Sequence, residues 1–500
     1  MKLNRRKFLQ HSSLLTTGAL SLNLMPTQLM AQHLSFKSNS LPYSSLQSHV
    51  LNRTSFGINQ ESMAKFEELG YRDFIEYQLD ADAIDDSEIE DYIAQALPTV
   101  NMSLVQIRDM VESEQINQFQ AAHELKAATF LRAVYSKKQL LQVMVEFWNN
   151  HFSVFHFDGP ISFLKTKEDR EVMRPFALSS FSEILHADAK STAMIYYLDS
   201  YASTKEAPNE NYGRELMELH TLGVDGPYTH LDIDEIARCF TGWGINQATG
   251  AFRYFQDRHD DEEKIFLGQT IPAGGGVTDG EQVVEILAAN DSTAAFISKK
   301  LCQHFISDTP DPSIVESTTS KFIESNGDIK TCLRHILLSK HFIVAQDQKL
   351  KRPFHFMASA VRSLSGDIFS DDFYRSTRFV LQALGNQPFD WTTPDGYPDK
   401  ADHWQSTTGM LYRWGFVNTF SFDEFRGYSY DLNTLISEPH TPENIYQQIV
   451  EKIIFRPMNS ADKTILMDYL EMGASNNTVS TLTLQGALAI ALGSPYFQLS

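Results

Sequence analysis

The fold is decided by residues Pro208–Gly244, which read PNENYGRELMELHTLGVDGPYTHLDIDEIARCFTGWG. The proline interrupts the preceding chain, and Asn209 has a side chain that commonly accepts a hydrogen bond at a helix N-terminus. Glu210 then places a negative charge in the first turn, where the helix dipole favours it. Gly223 is the residue type that most often follows a helix C-terminus. This pattern predicts a helix from Glu210 to about residue 222.

A second helix follows after a short Gly-Pro turn. Thr229 and Asp232 have the spacing of a capping box, and apolar residues then recur at helical intervals up to Gly242. The stretch therefore predicts two helices that form a hairpin, called the signature hairpin below.

The first helix of the signature hairpin has a polar face that carries two carboxylates. At 100° per residue, four polar side chains fall within about a third of its circumference. They are Asn211, Arg214, Glu215 and Glu218. Two interpretations are open. The charges form structural ion pairs, or an arginine keeps one carboxylate ionised while the other is desolvated and transfers protons.

A second candidate cluster lies at the end of another predicted helix, in the segment EFWNNHF at Glu146–Phe152. Glu146 and Asn150 are four residues apart and share a helix face, whereas His151 sits where the helix should end. In a functional interpretation, Asn150 orients a substrate and His151 assists proton transfer. In a structural one, Asn150 caps the helix and His151 bonds a backbone carbonyl.

Ionisable and aromatic residues beyond the first helix supply the remaining candidates. His259 and Asp260 are the residue types of an oriented base. Arg238 either binds substrate or pairs with carboxylates on its own helix. Trp243 is a core residue or a platform for a sugar ring, and Trp404 belongs to an aromatic loop that lines a cleft or forms a rigid crossover.

The sequence assigns no cofactor. A divalent metal is an alternative because His259 and Asp260 are ligand types, but no HxxxH or HExxH spacing supports it. Cys239, Cys302 and Cys332 are too widely spaced for a thiolate cluster. Cys239 is assigned to the core, and a disulfide between Cys302 and Cys332 is left open.

Composition and missing motifs exclude several functions. The 500-residue chain has a net charge of −21, which repels the phosphates of nucleic acids and anionic lipids. Hydrophobic residues make up 42% of the chain, enough to bury a large core. No GxSxG element argues for a serine hydrolase, and no dinucleotide fingerprint argues for a nicotinamide enzyme.

Helical periodicity dominates the rest of the chain, whereas strand-like alternation is rare and is clearest at residues 252–255. We expect a mainly α-helical fold, a large multi-helix assembly with a few short strands and long ordered loops. Residues 32–48 are predicted to be an extended polar arm, and residues 49–499 a single large helical domain.

Residues 1–31 predict a targeting segment. NRRKFLQ at Asn4–Gln10 resembles a twin-arginine export motif, and residues 12–24 form a short, mildly apolar stretch without acidic residues. That stretch is too short and too interrupted to be a permanent anchor, and no later run is long enough to cross a bilayer. We expect a periplasmic or secreted protein, cleaved near Ala31.

Several segments together resemble domain-of-unknown-function family 1800. The signature hairpin carries NENYGRELMELHTLG and then YTxxDIxEIARxFTGW. The other segments, in chain order, are HVLNRTSFG at His49, EFWNNHF at Glu146, RHDDEEKIFLG at Arg258, KRPFHF at Lys351, LGNQPF at Leu384 and TPDGYP at Thr393. The resemblance spans roughly residues 49–499. It implies a mostly helical exported bacterial protein whose activity is not established.

The functional hypothesis is an exported hydrolase or lyase that acts on a polar extracellular polymer such as a polysaccharide. We expect a cleft built by Glu146–Phe152, the signature hairpin and the His259 loop. Glu215 or Glu218 would be the acid or base, and His151 or His259 would assist. The groups that orient substrate or stabilise negative charge would be Arg214, Asn150 and Asn211.

The alternative hypothesis is a non-catalytic periplasmic partner. Members of the resembled family are often encoded beside a protein with an alkaline-phosphatase-like fold, so the resemblance implies a joint complex. In that case the signature hairpin is a scaffold or docking surface, and the acidic exterior keeps the protein soluble.

Overall fold

The computed structural model describes residues 41, 45–156 and 160–500, and these are mainly α-helical, as the sequence predicts. The predicted leader, residues 1–31, and most of the predicted polar arm lie outside the described residues. The first helix, Leu46–Thr54, includes the last three residues of that arm. No helix in the described part has the length and apolarity that a bilayer crossing needs.

The helices follow one another through short connections. The longer ones of the first half are Leu46–Thr54, Gln60–Leu69, Tyr71–Leu79, Ser87–Ala96, Leu104–Glu112, Gln120–Tyr135, Gln139–His151, Ile161–Glu168, Phe181–Ala189, Thr192–Tyr197, Glu210–Glu215 and His230–Cys239. Those of the second half are Val277–Ala288, Asp291–Phe305, Pro312–Glu324, Ile329–Leu337, Pro353–Leu364, Asp371–Ala383, Thr407–Ser421, Pro442–Lys452, Ser460–Met472 and Thr481–Gly493.

Strands form four short antiparallel pairs in the described part of the chain. The pairs are Trp243–Ile245 with Phe252–Tyr254, Lys264–Phe266 with Gln269–Ile271, Asp367–Ile368 with Tyr428–Ser429, and Ala474–Ser475 with Thr478–Val479. The first two pairs directly follow the signature hairpin.

The signature hairpin forms where the sequence predicts it. The Asn209 side chain accepts a hydrogen bond from the Asn211 backbone N–H and caps the first helix. Thr229 and Asp232 form the capping box of the second helix. Gly223 follows the first helix with a φ of 84°, a backbone conformation that favours glycine.

The first helix of the hairpin is not α-helical throughout. Its hydrogen bonding changes from α to π over Leu216–Thr221, and π-bulges of this kind are frequent at functional sites. Gly213 allows the two helices to approach closely, because a Cβ there would lie 2.5 Å from Cγ2 of Ile236.

One connected cluster of buried hydrophobic residues runs from Val50 to Phe497. The helix Pro353–Leu364 is buried along nearly its whole length within it. Its Arg362 side chain donates hydrogen bonds to the carbonyls of Gly57 and Val134. Buried carbonyls are thereby satisfied, and the helix is fixed against two earlier segments.

We expect Gly57→Ala to destabilise the protein by about 2–4 kcal/mol. Gly57 has a φ of 118°, and a Cβ there would lie 2.7 Å from the Ser359 Cα on the buried helix. Gly70 is a matched control, because its φ is 76° but no atom lies within 4 Å of its Cβ position. Gly70→Ala should be about 1–2 kcal/mol less destabilising, because it adds backbone strain but no steric overlap. Urea unfolding measures both, and equal losses would contradict the packing explanation.

Candidate active site

A pocket of about 270 Å³ opens where three distant segments of the chain meet. The end of the helix Gln139–His151 forms one wall, the helix Asp291–Phe305 forms a second, and the loop of residues 395–399 forms a third. Arg352 also lines the pocket. These segments include three of the motifs that the sequence singles out, so the pocket is the candidate active site.

His151 and Lys300 meet at this pocket. The Nε2 atom of His151 lies 3.0 Å from the carbonyl oxygen of His220, and its Nδ1 lies 2.8 Å from the Lys300 Nζ. A carbonyl only accepts hydrogen bonds, so Nε2 carries the proton and Nδ1 accepts from the lysine. Burial and the charge of Lys300 hold the pKa of His151 well below its ordinary range. His151 is therefore a neutral imidazole.

Lys300 is a lysine of unusual acidity. Burial lowers the pKa of its ammonium group from 10.5 to about 8, although Asp399 and Asp395 act in the opposite direction. Among the described residues, no carboxylate lies within ion-pair distance of its Nζ. A lysine amine with a pKa near 8 has a substantial neutral fraction in mildly alkaline water and can act as a base.

Arg352, which lines this pocket and a smaller neighbouring cavity, has one hydrogen-bond donor that is unpaired among the described residues. One of its terminal nitrogens, Nη2, binds the carboxylate of Glu146. The other, Nη1, is buried and has no hydrogen-bond partner in the described part of the chain. A buried unpaired donor of this kind is costly in isolation, and a carboxylate bound in the pocket would satisfy it.

Asn150 holds the loop 395–399 against the helix end. Its side-chain oxygen accepts a hydrogen bond of 2.7 Å from the Tyr397 N–H, and its amide nitrogen donates one of 3.0 Å to the Tyr397 carbonyl. Gly396 has a φ of 74°, and a Cβ there would overlap the carbonyl oxygen of Asn150. The Asn150 amide therefore positions the loop.

Trp404 supports the same loop from its buried side. It packs in a small hydrophobic cluster with Leu350 and Tyr397, and its indole N–H donates to the Pro398 carbonyl at 3.0 Å. Because it is only 5% exposed, it offers no face to a sugar ring.

Glu215 lies near this loop on the first helix of the signature hairpin. Its side chain is half-buried, and burial raises its pKa, with further increases from the charges of Glu218 and Asp395. Asp395 lines the pocket. A carboxyl group with a raised pKa is a suitable proton donor, although Glu215 itself is not among the residues that line the pocket.

The other polar residues on this helix form surface interactions. Arg214 lies 3.2 Å from the Glu210 carboxylate and 3.8 Å from that of Glu218, along one helix face. The exposed Asn211 has its amide nitrogen 3.5 Å from the carbonyl of Leu198. Arg214 and Glu218 thus make the helical ion pair that was the structural alternative.

His259 belongs to a separate buried network. Its Nδ1 lies 2.7 Å from the Thr241 carbonyl and its Nε2 lies 3.2 Å from the Asp279 carboxylate, which also binds the Lys264 Nζ at 2.6 Å. The side chains of His259, Lys264 and Asp279 are fully buried. His259 does not line the pocket, and the 395–399 loop takes the place that the sequence interpretation gave to the His259 loop.

Arg238, Asp260 and Trp243 also lie away from the pocket. Arg238 binds Asp260 at 2.7 Å and Glu235 at 2.8 Å, which raises the pKa of its guanidinium group. Trp243 is 1% exposed and packs edge-on against Phe240. These three residues join the strands to the hairpin.

One group of described residues has the arrangement of metal ligands. Atoms of Glu210, His230 and Asp234 lie within 4.8 Å of one another on the outside of the signature hairpin. Glu210 is already paired with Arg214, and the group does not line the pocket. Elsewhere, Cys239, Cys302 and Cys332 are buried free thiols.

Sequence reasoning did not identify Lys300 as a site residue. Arg352 lies within KRPFHF, a motif without a predicted role, whereas Asp395 belongs to the aromatic loop that the sequence predicts to line a cleft or to form a rigid crossover. The position of Arg352 within this motif and of Asp395 within this loop is a signal that could have identified both as site residues. Lys300 has no comparable local signal, because it is the second of two adjacent lysines on an ordinary amphipathic helix.

Comparison with known proteins gives one match. A family model described as "Protein of unknown function (DUF1800)" matches residues 49–499. No curated protein matches the chain, and no solved structure does.

Proposed function

The chain belongs to the DUF1800 family of proteins of unknown function, and we propose from its pocket that it is a lyase that cleaves an acidic polysaccharide by β-elimination. The observation that carries this proposal is the contact of 2.8 Å between Lys300 Nζ and His151 Nδ1 in the pocket. It combines a base of lowered pKa with a neutral imidazole that fixes its position.

The proposed step uses three groups. The Nη1 donor of Arg352 binds the carboxylate of a uronate ring and stabilises the charge that develops when the neighbouring carbon loses its proton. The neutral amine of Lys300 takes that proton. The C–O bond to the next sugar breaks as a C=C bond forms, and Glu215 gives a proton to the leaving oxygen.

Export supports the choice of an extracellular polymer. The NRRKFLQ motif at Asn4–Gln10 lies outside the described residues, so this part of the proposal depends on the sequence alone. The groups that would contact an acidic substrate in the pocket are Lys300 and Arg352, which line it together with Asp395 and Asp399.

Hydrolysis is a second candidate, favoured by the charge of Asp395, which contributes to the raised pKa of Glu215. A pair of carboxyl groups, one with a raised pKa, is the usual equipment for glycoside hydrolysis. In that case Glu215 protonates the leaving oxygen and Asp395 acts on the opposite side of the ring, and Lys300 is not required as a base.

One assay distinguishes these reactions. The purified protein is incubated with polygalacturonate, alginate and hyaluronan, and with neutral glucans as controls. Elimination produces reducing ends and an ultraviolet-absorbing unsaturated uronate in equal amounts, which is the result we expect for an acidic polymer. Reducing ends without unsaturated product would indicate hydrolysis. If folded protein yields neither product from any of the polymers, the result would contradict an enzyme of either kind.

A further inference from the structure

A larger cavity of about 410 Å³ lies outside the candidate active site. It lies between the helices Gln120–Tyr135 and Asp371–Ala383, and Phe130 and Phe354 supply apolar surface to its wall. Small-molecule sites typically occupy about 300–1,000 Å³. We call it the arginine cavity, after Arg375 and Arg378, which line it.

The two arginines have no acidic partner. Neither forms an ion pair with a carboxylate of the described residues, and the side chain of Arg375 makes no hydrogen bond to any of them. Arg378 donates instead to Nε2 of His123 at 2.6 Å, and burial together with the arginine charge lowers the pKa of His123 to about 4. In a chain with a net charge of −21, two unpaired guanidinium groups at one cavity favour an anionic ligand.

The carboxylates that line the cavity form no ion pair with these arginines. The Glu124 carboxylate accepts hydrogen bonds from the backbone N–H and the hydroxyl of Thr99, at 2.8 and 2.6 Å, and from Gln120 at 2.7 Å. Asp371 lies in the first turn of its helix, where the helix dipole stabilises it.

Two hydroxyl groups at the cavity have no partner within the described chain. They are the Oγ1 of Thr377, a residue that is 3% exposed, and the buried hydroxyl oxygen of Tyr374. Buried hydroxyls nearly always have a hydrogen-bond partner. A ligand that carries both a carboxylate and hydroxyl groups would satisfy the arginines and these two groups together.

The arginine cavity is a neighbour of the candidate active site. Phe354 and Pro388 line both the arginine cavity and a smaller cavity of about 40 Å³. Asn150 and Tyr397 line that smaller cavity and also the pocket of Lys300. The smaller cavity is too small for a sugar ring, so a polymer that reaches both sites would have to pass along the surface.

We propose that the arginine cavity is a remote binding site for a carboxylate-bearing sugar unit of the polymer that the active site cleaves. The polymeric nature of this ligand rests on the proposed function, whereas its charge and hydroxyl groups are inferred from the cavity itself.

The test is calorimetric binding of oligogalacturonates to Lys300→Met protein, in which the ligand is not cleaved. We expect Arg375→Gln combined with Arg378→Gln to weaken binding at least about tenfold, since each charged hydrogen bond contributes strongly. Arg72→Gln is the control, because Arg72 is exposed, unpaired among described residues and does not line the cavity. Unchanged affinity in the double variant, or equal binding of neutral oligoglucans, would overturn the proposal.

A second variant tests the same cavity even if the double arginine variant does not fold. Thr377→Val removes the unpartnered hydroxyl and keeps the side-chain shape, so we expect it to fold stably and to bind oligogalacturonate several-fold more weakly. If binding depends on these residues but no polymer is cleaved, the proposed function fails and the binding site stands. If the polymer is cleaved but none of the variants weakens binding, the proposed binding site is wrong and the proposed function stands.

Discussion

Replacing Lys300 with methionine is expected to lower the rate of polymer cleavage by about 10²–10⁴-fold, the usual contribution of a positioned general base. Methionine retains much of the length and apolar character of the lysine stem but removes the amine that contacts His151. The fold should survive, because Lys300 forms no ion pair with a described carboxylate. The rate measurement needs only the polymer identified in the elimination assay.

Lys299→Met is the matched control for this variant. Lys299 precedes Lys300 on the same helix, is exposed and does not line the pocket, so its loss should leave the rate nearly unchanged. Cleavage by Lys300→Met at the wild-type rate would exclude the lysine as the base. Equal losses in both variants would indicate a general effect of charge.

The pH dependence of cleavage follows from the same residue. A base accepts a proton only when it is neutral, and the amine of Lys300 becomes neutral as the pH rises through its pKa of about 8. The wild-type rate should therefore increase across that range for a substrate whose leaving group needs no proton from Glu215. This increase is caused by the ionisation of Lys300, so it should be absent from the residual rate of Lys300→Met.

Asp279→Ala is expected to destabilise the protein by about 3–5 kcal/mol, because it removes the buried counterion of Lys264. Both side chains are fully buried, and the same carboxylate also contacts His259. The remaining ammonium group would stay buried without a counterion, with only the Asp260 carbonyl, among the described residues, as a hydrogen-bond acceptor. Chemical denaturation, followed by circular dichroism, measures the loss.

Two further variants separate this effect from the loss of a surface charge. Lys264→Met combined with Asp279→Leu removes both charges and should recover much of the lost stability, since paired apolar replacements are often tolerated. Glu324→Ala breaks an exposed pair with Lys321 and should hardly change the unfolding midpoint. A small loss of stability for Asp279→Ala would mean that the buried network of His259, Lys264 and Asp279 contributes little to folding.

Local sequence signals predicted the helices well. The cap at Asn209 and the capping box of Thr229 and Asp232 are interactions between neighbours in the chain, so their spacing alone identifies them. The change to π hydrogen bonding at Leu216 was not predicted. It shifts the hydrogen-bond partner by one residue, and the helical periodicity of the side chains scarcely records such a shift.

The candidate site was predicted only in part, because its contacts join distant residues. His151 was a candidate, but Lys300 is 149 positions away, and nothing in the pair Lys299-Lys300 shows which one meets it. Asn150 was predicted to bind substrate, whereas its amide holds Tyr397, 247 positions away. A helical wheel places side chains on a face but does not tell which segment covers that face.

At His259 the error is that neighbours in the sequence were expected to be partners in the structure. The sequence presents it beside Asp260, and adjacent histidine and aspartate residues suggest an oriented base. Its actual carboxylate partner is Asp279, 20 positions away, while Asp260 binds Arg238. Adjacent residues in an extended segment point in different directions, so proximity in sequence did not give proximity of side chains.

The ionisation of Lys300 in the intact protein tests the central claim most directly, and it needs no substrate. Competitive acetylation across a pH series, read by mass spectrometry of a peptide that contains Lys299 and Lys300, gives a pKa for each amine. We expect Lys300 to be half-ionised near pH 8. An ordinary value near 10.5 for Lys300 would contradict its role as the base of this site.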